Sequence, residues 1–164
     1  MSTLFKYGAA EAAQEPYHYT MCGLDDVYLL NGVTFENTPY GEGVTIQNVD
    51  GLHKAIGKYL VTEKKALNGK EIRFLRHEMD LTQAELGDRL RVADQTIARW
   101  EKDEFPIRAP EEMLLRLAYL LDGRCQLQYD KLADALRKID ESRPHERQLF
   151  VPTRDGWEPA AKAA

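Results

Sequence analysis

Gln95 and Arg99 stand four residues apart within LTQAELGDRLRVADQTIARWEKD, residues 81–103, a spacing that puts both side chains on one face of a helix. The arginine fork matches O6 and N7 of guanine, and the glutamine amide matches N6 and N7 of adenine. The chemistry suggested is recognition of base edges. Asp94 beside them suits either acceptance from cytosine N4 or a negative charge at a helix start. On an arbitrary helix such a Gln/Arg pair is ordinarily just solvated, so the weight falls on the flanking pattern.

Other reactive side chains do not assemble in the sequence. His18, Cys22 and His53 offer a Cys/His pairing, but no nucleophile elbow, phosphate loop or metal-ligand spacing accompanies them. A structural zinc site takes about four Cys/His ligands, commonly as two close pairs. The chain has two cysteines, Cys22 and Cys125, far apart and with no CxxC. The expectation is a non-enzyme with no metal or cofactor, its cysteines thiols in a reducing compartment.

The elements that position the pair follow from periodicity and punctuation. At 164 residues, 43% hydrophobic and 30% charged, the chain has material for one helical core and a small annex. No apolar run approaches a membrane span and no export signal opens the sequence, so a soluble cytoplasmic protein is expected. Residues 1–15 read as a flexible lead-in. Residues 16–66 read as a small β module with a helix: YHYTM, VYLL and VTFEN are strand-like, Asn31-Gly32 predicts a hairpin turn between the last two, and VTIQNV adds a candidate strand. Asp50 is the expected N-cap of a helix with Leu52, Ile56, Tyr59 and Leu60 on one face. Residues 67–123 are helical throughout. Ile72, Leu75 and Met79 form one stripe, Thr82 and Glu85 a capping box, and Gly123 a C-cap. Residues 124–164 read as one more helix, with Leu132, Leu136 and Ile139 on its apolar face, then a flexible tail. The fold class is therefore α+β.

The net charge is -5, and residues 1–62 carry three basic against seven acidic side chains. From Lys64 to Arg124 twelve basic and twelve acidic residues balance, so a DNA-facing surface there requires the signs to be sorted onto different faces.

Over residues 68–122 the sequence resembles the Cro/Xre, lambda-repressor-like helix-turn-helix regulators, carried by Leu81-Thr82-Gln83, the ladder Leu86, Leu90, Val92 and Ile97, and Trp100-Glu101-Lys102. GEGVTIQNVDGLHKAIGKYL with LNGKEIRFLR looks like antitoxin-type regulators related to the YgiT/MqsA family, whose N-terminal module binds zinc. Here that module is expected to be zinc-less, held by packing of Tyr17, Tyr19, Val27, Leu29 and Phe35. The resemblance implies a five-helix-type all-α domain whose third helix enters the major groove. By position, Gln83 falls on the family's phosphate-binding glutamine, and Asp94, Gln95 and Arg99 on the groove-facing positions. Thr96 suits a phosphate or thymine-methyl contact. Thr82, Lys102, Arg73 and Arg76 complete the candidate DNA-binding set. Arg91 stands where the turn often has Gly, Ala93 replaces a usual capping hydroxyl, and Gly87 stands where Ala is common. Glu101 is expected to bond within the domain.

The expected function is transcriptional regulation: an autorepressing, antitoxin-like homodimer on double-stranded operator DNA in its own promoter. The dimer surface is expected on the helix EEMLLRLAYLLDG or around Leu132 to Ile139. The alternative is a protein-binding antitoxin or adaptor that engages a toxin or other partner through the acidic N-terminal module.

Overall fold

The computed structural model of the chain describes residues 15–123, 148–154 and 156–160. In order it forms β1 (Tyr17–His18), β2 (Val27–Leu29), β3 (Val33–Thr38), β4 (Gly41–Ile46), α1 (Val49–Thr62), α2 (Gly69–Glu78), α3 (Gln83–Leu90), α4 (Asp94–Glu101), α5 (Ala109–Leu121), β5 (Gln148–Thr153) and β6 (Gly156–Pro159). The arrangement is α+β, as the sequence patterns predict. No described helix is long and apolar enough to cross a membrane. The chain divides into two compact units, residues 1–55 with 145–164, and residues 56–144.

In the first unit a four-stranded sheet has the order β1-β2-β5-β6. β2 pairs with β5 in parallel, Val27 opposite Gln148 and Leu29 opposite Phe150, while β1 and β6 flank them antiparallel. Alternation along the strands sends Val27, Leu29 and Phe150 inward, each at most 1% exposed. Trp157 of β6 is buried, and its indole N–H donates to the carbonyls of Gln47 at 3.0 Å and Asn48 at 3.1 Å.

This sheet corrects two expectations. Residues 148–154 and 156–159 are not a flexible tail: β5 pairs with β2, more than a hundred residues earlier, and β6 pairs with β5. Nor is Asn31-Gly32 a hairpin turn between VYLL and VTFEN. A type I′ turn needs positive φ at both residues, and only Gly32, at φ 80°, has it. The chain leaves the first sheet there, and β3 pairs with β4 instead, around Pro39-Tyr40. A β-carbon on Gly32 would lie 2.7 Å from the Trp157 ring, so close approach and backbone angle both call for glycine. Tyr19, Val27 and Leu29 are buried as expected, whereas Phe35 is exposed and meets Tyr17 edge-on with centroids 5.8 Å apart. At the start of α1 the capping side chain is Asn48, whose Oδ1 accepts from the Gly51 amide at 3.1 Å, rather than Asp50.

The second unit takes the C-terminal turns of α1 and α2 to α5. The boundary therefore lies within α1, ahead of residue 66, and Arg116 supplies a physical reason. Its guanidinium, fully buried on α5, donates to the Leu60 carbonyl at 2.7 Å and the Lys65 carbonyl at 3.2 Å, so the end of α1 is bonded into the helical domain. The stripes Ile56–Leu60 and Ile72–Leu75–Met79 are buried as their spacing predicts. The expected helix around Leu132 to Ile139 lies outside the described residues.

Candidate nucleic-acid interface

Two capping boxes start the helices that frame the interface. Asn68 and Glu71 reciprocate at the head of α2, and Thr82 and Glu85 at the head of α3. The Thr82 amide and hydroxyl, donating at 2.7 and 2.8 Å, hold the Glu85 carboxyl below the usual carboxylate range. The Asn68 box is legible from Asn68-x-x-Glu71, although Asn68-Gly69 reads first as a plain boundary.

The α3–α4 turn has the strained form that its sequence departures imply. Arg91 sits in left-handed conformation at φ 58°, ψ 39°, and Ala93, the N-cap of α4, makes no side-chain cap. Asp94 compensates in part, its Oδ1 accepting from the Gln95 amide at 2.7 Å, which assigns its carboxylate to the helix start in this structure. A β-carbon on Gly87 would lie 2.7 Å from the Val92 carbonyl oxygen. Gly87 is thus required by backbone contact, beyond merely permitting close packing. A left-handed non-glycine residue costs about 1–2 kcal/mol, part of which glycine returns as unfolded-state entropy. Arg91→Gly is therefore expected to raise stability by about 1 kcal/mol, read as a higher midpoint in urea denaturation at unchanged slope.

On α4, Ile97 and Trp100 are buried at 0% and 2% exposure. Their burial fixes the rotation of the helix and leaves Asp94, Gln95 and Arg99 exposed, with Thr96 half-buried. The structure thus brings the predicted Gln95/Arg99 pair onto one solvent-facing side. Lys102 is exposed just past the end of α4, and Arg73 is exposed on α2.

Arg76 is a correction. It is 8% exposed, and its guanidinium donates to Glu101 through Nε at 2.6 Å and Nη2 at 3.1 Å, and to the Leu81 carbonyl through Nη1 at 2.8 Å. Burial and the bonds to Glu101 and Leu81 make it a clamp among α2, α4 and the α2–α3 turn, rather than a solvent-facing phosphate contact. The same Glu101 carboxylate accepts from Gln83 Nε2 at 2.8 Å. Gln83, at the start of α3 where free amides and the helix dipole favour an anion, is thereby tied to the base of α4. Neighbouring His77 is shifted below the usual histidine range by partial burial, then by Arg76 and Arg73.

The end of α4 carries features that spacing alone does not signal. Asp103 is left-handed at φ 55°. Its amide donates to the Trp100 carbonyl at 2.9 Å, and the Glu104 amide to the Arg99 carbonyl at 3.0 Å. These are the two bonds of a Schellman motif, usually closed by glycine. Asp103 is retained where its Oδ1 also accepts from the Gly69 amide at 2.6 Å, satisfying a free donor at the head of α2. Arg99 Nε donates to Glu104 Oε2 at 3.0 Å, and its guanidinium carbon lies 5.5 Å from the centre of the Phe105 ring.

Comparison with curated proteins and with solved structures returns no match. Residues 72–124, from α2 through α5, match the helix-turn-helix family model, of the Cro/C1 type, and the chain accordingly carries the helix-turn-helix domain of a DNA-binding regulator.

Proposed function

We propose that the chain is a sequence-specific transcriptional regulator that represses its own promoter as an antitoxin-like homodimer. The observation that carries this reading is the exposed Gln95/Arg99 face of α4, fixed in rotation by the burial of Ile97 and Trp100. Gln83 and Arg73 supply backbone positioning. A reporter driven by the upstream region of the chain's own reading frame tests it. Expression falls when the protein is supplied in trans and recovers with Arg99→Ala; expression indifferent to the wild-type protein would refute autorepression.

Dimerisation fits the small number of base pairs that one recognition helix reads. The surface favoured for it is on α5, where Leu114 and Leu121, seven residues apart and so near one face, are 45% and 81% exposed. Leu121→Glu is expected to shift sedimentation from dimer to monomer and to weaken operator binding on the order of 100-fold, as loss of bivalency does. A wild-type monomer at micromolar concentration would argue against it.

A second reading rests on the β3–β4 hairpin. Tyr40 at its tip is fully exposed and Phe35 is 39% exposed, with Glu36 and Glu42 on the same two strands. Such a surface suits a basic protein partner, as in an antitoxin or adaptor. Co-purification of a short basic protein encoded beside the chain would favour this reading, and failure to form a complex with that protein would exclude it.

A further inference from the structure

We propose that Glu104 and Phe105 are positioning residues for base recognition, holding the Arg99 guanidinium so that its two terminal nitrogens are presented to a guanine edge. The inference rests on the DNA-reading role of α4 proposed above.

The backbone fixes the partner before the side chains meet. In the Schellman motif at the end of α4, Arg99 is the third residue from the helix end and Glu104 the second beyond the cap, joined by the 3.0 Å bond from the Glu104 amide to the Arg99 carbonyl. These two positions commonly make a hydrophobic contact. Here they make an ion pair, Nε to Oε2 at 3.0 Å. Phe105, the next residue, lies against the guanidinium at 5.5 Å, inside cation–π range. Nε is consumed, while Nη1 and Nη2 donate to none of the described residues.

That division matches what guanine offers. O6 and N7 take two donors from one edge of the guanidinium, and an arginine already held on its remaining nitrogen and over a ring loses less freedom on binding. The Arg99 side chain is 61% exposed and that of Glu104 44% exposed, so the pair is weak in water. It biases the orientation of Arg99 without locking it. The carboxylate also sets a negative charge beside the groove-facing arginine, which disfavours unspecific attraction to phosphate. Glu104 is thereby expected to lower affinity for arbitrary DNA while sharpening the preference for guanine.

The test is selection from a random-sequence duplex library with the wild type, Arg99→Ala, Glu104→Gln, Phe105→Ala and Phe105→Tyr, followed by affinities for the enriched and a scrambled duplex. The expected result is a guanine preference at one position that Arg99→Ala abolishes. Glu104→Gln and Phe105→Ala each reduce enriched-over-scrambled discrimination about twofold to fivefold, the scale of an exposed ion pair or cation–π contact. Phe105→Tyr, which keeps the ring, retains wild-type discrimination, and thermal midpoints stay near wild type throughout. Glu104→Gln that keeps or increases discrimination would overturn the proposal and make Glu104 a competitor that masks Arg99. Wild-type protein that enriches no sequence would overturn the DNA-reading role itself, an outcome distinguishable from failure of the positioning alone.

Discussion

Glu101→Ala is expected to cost about 3–5 kcal/mol of stability, because it leaves the Arg76 guanidinium buried without its counter-charge. The carboxylate accepts two bonds from Arg76 and one from Gln83, and the two side chains of the ion pair are only 9% and 5% exposed. Chemical denaturation measures the loss. The cost comes from the orphaned charge, since a buried pair replaced as a unit by apolar residues is often near neutral. Arg76→Leu with Glu101→Leu should therefore be much less destabilising than Glu101→Ala. DNA binding separates the two roles of the cluster. The double variant loses the restraint on Gln83 and weakens binding to all sequences, while the base preference set by Gln95 and Arg99 persists. A Glu101→Ala protein as stable as wild type would show that the cluster contributes little.

Arg116→Leu is expected to be as severe, about 3–5 kcal/mol, through a different set of partners. Its side chain is fully enclosed. Besides the Leu60 and Lys65 carbonyls, it donates to Glu112, one turn earlier on α5, at 3.0 Å through Nε and again through Nη2. Leu60 lies in the last turn of α1, where helix carbonyls have no partner within the helix, and Glu112 is 5% exposed. Removing the guanidinium leaves a buried carboxylate and an unbonded carbonyl. Arg116→Lys keeps the charge but cannot span three acceptors with a planar fork, so its loss falls between wild type and Arg116→Leu. Urea denaturation midpoints that rank the three proteins otherwise would contradict this account.

How much of the molecule is legible in the sequence depends on how local its cause is. The helices of the DNA-binding domain announce themselves through Ile72–Leu75–Met79, the Thr82–Glu85 box and the Leu86, Leu90 and Ile97 ladder, all set by spacing within a turn or two. Gln95 and Arg99 share an exposed face for the same reason. The strain at Arg91 and the missing cap at Ala93 are legible too, since each is a residue type at odds with its position. Arg76 misleads because an arginine on a charged helix looks solvated until Glu101, twenty-five residues later, is seen beside it. Phe150 and Trp157 mislead more strongly. Their segment contains Pro152, Gly156 and Pro159, which punctuate it like a loop, and its partner strand, Val27–Leu29, carries no sign of a parallel neighbour. Asn31-Gly32 has hairpin chemistry, but Trp157, brought in by that distant pairing, occupies the space beside Gly32. Glu104 and Phe105 acquire meaning only through the left-handed turn at Asp103, a position where glycine is the usual signal.

The most direct measurement is fluorescence anisotropy of the purified chain on DNA from its own upstream region, against scrambled DNA, with Arg99→Ala in parallel and over a salt series. The exposed cations on and around α2 to α4 are Lys70, Arg73, Arg89, Arg91, Arg99 and Lys102, so the affinity should fall with salt along a slope set by how many of these six meet phosphate. The account predicts a clear preference for the upstream DNA, with Arg99→Ala losing about 1–3 kcal/mol on it and little on the scrambled duplex. Equal weak binding to both duplexes, unchanged by Arg99→Ala, would contradict base reading by α4.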